Sequence, residues 1–175
     1  MMYYKSSSTL FDYTKTREAE MVRLPYRGNR FSMYILLPFS NSTHSLNSLT
    51  ENQFRALKDQ MEAEYIDVYL PRFSMESEYK LKKTLTEMGI SYGFTPDADF
   101  SGITNTIVWI DEVYHKATID VTETGTEGSA ATAAVVISGM KKIVKADHPF
   151  LFFIIDEQTD TILFMGKITD PSEIS

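Results

Sequence analysis

The sequence predicts an α+β domain, strand-rich, with mixed and antiparallel sheets and a few short helices. Three observations carry this. Branched and aromatic residues gather in runs of strand length, several runs end on tight-turn residues, and only two stretches, one following Thr50 and one ending at Gly89, repeat apolar residues at helical spacing. The chain has 175 residues, 43% of them hydrophobic and 13% aromatic, which suits one domain with a sizeable core. Its formal charge of −7 argues against a nucleic-acid partner and against an anionic membrane surface, because both need concentrated Lys and Arg. No apolar run approaches the roughly 18 residues that would suggest a bilayer span. With no cysteine there is neither a disulfide framework nor a thiolate site, and the compartment stays open on that ground.

Taken in order, "MMYYKSSSTLFDYTKTREAEMV" lacks the charged-then-apolar layout of a signal peptide and is strand-like and turn-like from its second position. "MVRLPYRG" and "FSMYILLP" surround "RGN" and predict a hairpin. "NSTHSLNSLTENQFRALKDQM" passes from solvated loop into a helix, with Ser48 or Thr50 as N-cap and Phe54, Leu57 and Met61 on one face. "AEYIDVYLPRFSMES" sets Tyr65, Asp67 and Tyr69 against Ile66, Val68 and Leu70, a strand ended near Pro71. "ESEYKLKKTLTEMGI" predicts a short amphipathic helix closing at Gly89. After "FTPDADFSGIT", a long strand is expected through "TIVWIDEVYHKATIDV", and "HPFLFFIIDEQTDTILFMGKITDP" predicts a hairpin of two buried strands around "DEQTD". No repeat, low-complexity tract or linker divides the chain.

Catalytic chemistry is thinly represented. His44, His115 and His148 are well separated, and no metal, nucleophile or phosphate-loop motif is present, so neither metal nor cofactor is implied. His115 shares its strand face with Val113, Ala117, Ile119 and Val121, so a buried histidine satisfied by a neighbour outweighs a catalytic one. Glu123 and Glu127 could form a paired-carboxylate site, but nothing around them suggests a sugar cleft. Between them begins "TGTEGSAATAAVV", residues 124–136. Gly125, Gly128 and the β-branched Thr132, Val135 and Val136 weaken a helix there, and Ala130 to Val136 is too apolar for a solvated tether. As a strand it places Thr126, Gly128, Ala130, Thr132, Ala134 and Val136 on one face almost free of bulk. Such a segment can enter a narrow slot between strands or stay outside, which is what a bistable element requires.

Along its whole length and in order, the chain resembles the C-terminal half of a serpin, with the N-terminal half absent. "LPYRGNRFSMYILLP", "YLPRFSMESEYKLKKTLTEMGI", "DADFSGIT", "EVYHKATIDVTETGTEGSAATAAVV" and "ADHPFLFFIIDEQTDTILFMGKITDP" carry the resemblance. It implies an inhibitor of serine proteases, not an enzyme, with a reactive-centre loop at about 124–147. The loop is offered as a suicide substrate, cleaved to an acyl-enzyme, and inserted as a new strand that distorts the protease; the N-terminal half of the same fold is needed. By the same resemblance the hinge is Glu123, Gly125, Thr126, Glu127, Gly128, Ser129, Ala130 and Ala131. Thr124 and the pair Gly128-Ser129 depart from the common pattern, yet remain small. Candidates for the reactive bond are Gly139, Met140, Lys141 and Lys142. A lysine there suits a trypsin-like target, and glycine or methionine suits an elastase-like or chymotrypsin-like one. Lys141, Lys142 and Lys145 read equally well as an ordinary solvated cluster. The resemblance also implies an Arg72–Glu123 ion pair beside the hinge, and it places His115 where the central strands part. A non-inhibitory serpin and a serpin-derived interaction module are the alternatives. The acceptor pattern Asn41-Ser42-Thr43 favours an extracellular location, with a cytoplasmic one as the alternative.

Overall fold

The structure is a computed structural model that describes residues 2–4, 10–39, 47–122 and 142–172. Its strands are Met2–Tyr4 (β1), Leu10–Lys15 (β2), Ala19–Pro25 (β3), Phe31–Pro38 (β4), Glu62–Leu70 (β5), Phe73–Lys80 (β6), Tyr114–Val121 (β7), Lys142–Lys145 (β8), Phe150–Asp156 (β9) and Thr161–Ile168 (β10). Helices cover Glu51–Asp59 (α1) and Lys82–Glu87 (α2). Among the described residues, one sheet runs β1-β5-β2-β3-β4-β9-β10, with β8 joined to β5 in parallel, and β6 and β7 pair separately. The sheets are thus mixed, as the sequence predicts. The chain divides into two units, residues 1–73 with 121–175, and residues 74–120.

The larger unit is organised by two hairpins that meet at β4 and β9. β3 and β4 pair from Ala19↔Pro38 to Pro25↔Ser32, and the turn between them uses left-handed backbone at Gly28 (φ 88°) and Asn29 (φ 57°). Those are the residues best able to adopt it. β4 then pairs with β9 from Phe31↔Asp156 to Leu36↔Leu151, and Ser32 to Pro38 are all buried. Burial on both faces follows from covering both faces. On one, α1 inserts Phe54 among Met21, Tyr34, Leu36, Phe153 and Ile155. Its ring meets Tyr34 edge-on at 5.8 Å between centroids and Phe153 at 4.7 Å. Elsewhere in the unit, Phe73 packs 6.2 Å from Phe150 and 5.2 Å from Phe152.

α1 starts where its sequence says it should. Thr50 Oγ1 accepts from the Gln53 amide at 3.3 Å, while Gln53 Oε1 accepts from the Thr50 amide at 2.8 Å, a reciprocal capping box. Leu57 and Met61 join Leu49 at the rim of the cluster around Phe54.

Three expectations need correction. The helix predicted over residues 76–89 is confined to Lys82–Glu87, and Glu76–Lys80 belong to β6, because pairing with β7 overrides their modest helix propensity. Gly89 does close it, at φ 93°. The strand expected from residue 106 begins only at Tyr114. Upstream, the Ile110 amide donates to Gly93 O at 2.9 Å and Glu112 Oε1 accepts from the Lys82 and Val113 amides, so this backbone is tied to the α2 region and not to a ladder. Finally, the last hairpin forms with β9 buried, but Ile162, Leu163, Phe164 and Met165 of β10 are 40–71% exposed, because no described element fully covers this part of the strand.

Gly166 of β10 stands opposite Phe152 of β9, and a Cβ built on it would lie 2.4 Å from the Phe152 ring. Gly166→Ala is therefore expected to destabilise the chain by about 1–3 kcal/mol through overpacking, read as a lower urea midpoint. An unchanged midpoint would mean that the Phe152 ring swings aside freely.

Candidate functional site

Residues 123–141 lie outside the described residues. With them lie the expected hinge (Glu123, Gly125, Thr126, Glu127, Gly128, Ser129, Ala130, Ala131), three of the reactive-bond candidates (Gly139, Met140, Lys141), and elsewhere His44 and the Asn41-Ser42-Thr43 pattern. The two strands that flank this stretch are described, β7 before it and β8 after it.

β7 pairs with β6 and carries more polar than apolar exposure along its length, with only Val121 fully buried. His115 is exposed, which corrects the expectation of a buried imidazole. Its ring stacks on Tyr79 of β6 at 6.5 Å with 23° between planes. The neighbouring Lys116 is ion-paired to Glu76 at 2.6 Å, and the Lys80 ammonium lies 5.7 Å from the Tyr114 ring centroid. The alternating pattern assigned His115 to the right strand, but alternation says which residues share a face and not whether another layer covers it. Arg72 sits exposed in the joint between β5 and β6, and its expected partner Glu123 is outside the described residues.

β8 is short and held on several sides. It pairs in parallel with β5 in the register Ile66↔Lys142, Asp67↔Ile143, Val68↔Val144 and Tyr69↔Lys145. Val144 is buried, and the following Ala146 amide donates to Tyr69 O at 2.8 Å. Lys142, the first residue of β8, places its ammonium on the Glu64 carboxylate and 5.3 Å from the Tyr13 ring centroid. Burial, then a 2.8 Å hydrogen bond donated to Glu20 Oε2, raises the Tyr13 hydroxyl above its ordinary titration range, so it stays a neutral donor. At the other end of β8, the Lys145 ammonium lies 5.6 Å from the Tyr69 ring centroid. The His148 ring bridges Asp147 Oδ1 and Pro38 O, at 3.1 Å each, tying the β8–β9 joint to the end of β4. The sequence offers Lys142 and Lys145 as a charge cluster but gives no sign of Glu64, Tyr13 or Tyr69 as their partners. Those contacts join distant segments, and no local pattern encodes them.

Away from β8, a polar network crosses the sheet face beside α1. Arg23 donates to Asp12 Oδ2 at 2.6 Å, Ser32 Oγ at 2.9 Å and Glu157 Oε1 at 3.0 Å. Tyr34 donates to the same Glu157 oxygen at 2.9 Å, and Lys58 of α1 lies 3.3 Å from its other oxygen. Burial pushes the Glu157 carboxyl upward, but hydrogen bonds from Ser32 and Tyr34 and the charges of Arg23 and Lys58 outweigh it, leaving the group below its ordinary range. Among the described residues no cluster of three or more His, Asp or Glu could hold a metal ion, and no helix is long and apolar enough to cross a membrane.

A family model described as serpin (serine protease inhibitor) matches residues 1–171. An uncharacterized serpin-like protein of Methanosarcina acetivorans is 42% identical over 179 residues, which covers 95% of this chain and 42% of the relative. Human Serpin B11 is 37% identical over 180 residues, covering 97% of this chain and 46% of that protein. Among solved structures, the thermophilic serpin tengpin in its native state is similar with TM-score 0.72 at 31% identity, covering 93% of this chain and 45% of tengpin. Uncleaved ovalbumin is similar with TM-score 0.77 at 29% identity, over 95% of this chain and 43% of ovalbumin. The chain spans less than half the length of these relatives.

The lowered Glu157 carboxyl makes a signed prediction. A group depressed in the folded state contributes stability above its unfolded pKa and loses it as pH falls through the folded one. Glu157→Gln should therefore cost about 1.5–3 kcal/mol at pH 7, the range for a hydrogen bond to a charged group. The deficit should shrink as pH falls below the ordinary glutamate range, near 4.3. Urea titrations of both proteins at pH 7 and pH 3 check this; an equal deficit at the two pH values would refute it.

Proposed function

The chain belongs to the serpin family, and from that premise we propose that it is the C-terminal portion of a serpin domain that inhibits a serine-type endopeptidase as a suicide substrate, in concert with an N-terminal half. The observation that carries this is the segment between β7 and β8. In sequence, Gly125 to Val136 combines two glycines with alternate positions of small side chains, and described strands lie on both sides of it in the chain. No proline or bulky residue interrupts it. Such a stretch suits both an exposed substrate loop and an inserted strand.

In this reading the protease serine attacks a backbone carbonyl within residues 138–142. The new C–O ester forms, the C–N bond breaks, and the departing amine takes a proton from the protease histidine. The residues before the bond stay covalently joined to the protease and carry it as they insert. The residues after it remain part of the chain that continues into β8 and β9. Lys142 is the one reactive-bond candidate among the described residues, and it begins β8. The Arg72–Glu123 pair would bias the hinge and contribute about 0–1 kcal/mol.

Two observations support the need for an N-terminal half. The chain spans 42% of one relative and 46% of another. β10 also carries apolar side chains on both faces, Ile162, Leu163, Phe164 and Met165, at 44%, 47%, 40% and 71% exposure, and a strand apolar on both faces needs covering on both. The same surface favours the second reading, a serpin-derived interaction module whose partner adds to the β10 edge without any protease. The Asn41-Ser42-Thr43 pattern supports an extracellular setting for either.

The test mixes the chain, with and without a separately produced N-terminal half of a serpin relative, with trypsin-like, chymotrypsin-like and elastase-like proteases. A denaturation-resistant complex whose released fragment begins between Gly139 and Ile143 is expected, and only with the N-terminal half present. Clean cleavage in that window without a complex would replace inhibition by a non-inhibitory role. In the reconstituted protein Thr126→Arg should lower the yield of complex at least about tenfold while cleavage continues, since insertion would bury an unpaired guanidinium. Undiminished complex would remove Thr126 from the inserting face.

A further inference from the structure

We propose that Lys142 is a positioning residue. Its ammonium is clasped between the Glu64 carboxylate and the Tyr13 ring, and the clasp fixes where β8 begins, hence where the loop offered to a protease ends. Its significance for inhibition rests on the functional reading above; the clasp itself does not.

The geometry explains why this residue and not a neighbour does it. β8 is four residues long and pairs in parallel with β5, so few ladder bonds hold it. Its interior contributes one buried side chain, Val144, while Ile143 is 53% exposed. A strand this short frays readily from its first residue. Lys142 is that residue. It sits opposite Ile66, so Glu64, two residues earlier on β5, is its diagonal neighbour on the same face, a separation long side chains span. The face of Tyr13 adds a second attraction for the same ammonium, and the Tyr13 ring is itself held by its hydroxyl on Glu20. Through Lys142, β8 thus contacts β2 as well as β5. A side chain held in this way is not the one presented to a specificity pocket.

The test uses the full chain and hydrogen exchange of the Ile143 to Lys145 amides followed by mass spectrometry. Lys142→Gln should speed that exchange about tenfold, the combined size expected for an ion pair and a cation–π contact, and Glu64→Gln about fourfold, the ion pair alone, with the urea midpoint little changed. The charge-swapped double variant Lys142→Glu with Glu64→Lys should return the exchange to within about threefold of the parent, a rescue that loss of packing alone would not give. Single variants within twofold of the parent, or a swap as fast as the singles, would overturn the clasp. A second readout is the start of the fragment released by an elastase-like protease. The parent should give one start upstream of Lys142 and the single variants a spread reaching beyond it. A parent fragment starting at Ile143 would overturn the positioning role, because Lys142 would then be the residue read by the protease. If no protease forms a complex, the inhibitory reading fails while the exchange result still decides the clasp.

Discussion

Strand β5 carries three ladders within nine residues, and much of the larger unit hangs on how they divide it. Its first part, Glu62 to Tyr65, pairs with β2, while the remainder pairs with β1 on one side and β8 on the other. Ile66, Val68 and Leu70 are buried along this second part. A shift of one residue in β5 would send them to the opposite face and move both neighbours together, so the buried triplet specifies the register of three strands at once. β8 is therefore placed by side chains far from it in sequence.

The centre of the sheet is held differently. Around β4 and β9 the stabilising contacts are apolar on the α1 side, where Phe54 fills the space between Tyr34 and Phe153. They become ionic where Arg23, Tyr34 and Lys58 converge on Glu157. Tyr34 belongs to both, its ring in the apolar cluster and its hydroxyl in the network. That sharing satisfies a buried phenol, and it couples the seating of α1 to the turn after β9.

What the sequence made legible was local. The β3–β4 hairpin follows from Gly28 and Asn29, the start of α1 from Thr50 and Gln53, and the buried face of that helix from Phe54. Each is decided by residues a few positions apart. The misreadings share the opposite cause. Glu76–Lys80 have acceptable helix propensity and were claimed by a partner strand; residues 107–113 look β-favouring and are held by bonds to the α2 region. His115 alternates with apolar residues but stacks in the open on Tyr79. β10 has the composition of a buried strand without being covered in this chain. For the site, Lys142 and Lys145 were visible as charges, whereas Glu64 lies 78 residues from Lys142 and no spacing rule connects them.

The parallel pairing of β8 with β5 has a kinetic side. Parallel neighbours cannot be joined by a tight turn, so the chain must travel out from β5 and return before β8 can dock, closing a loop whose contacts are 78 residues apart. The hairpins β3–β4 and β9–β10 need no such excursion. Ladders closed over long separations bear their entropy cost before their contacts form, and they assemble behind local ones. β8 is accordingly placed to be among the later pieces of the sheet to assemble, meeting Glu64 and Tyr13 only once β2 and β5 have come together.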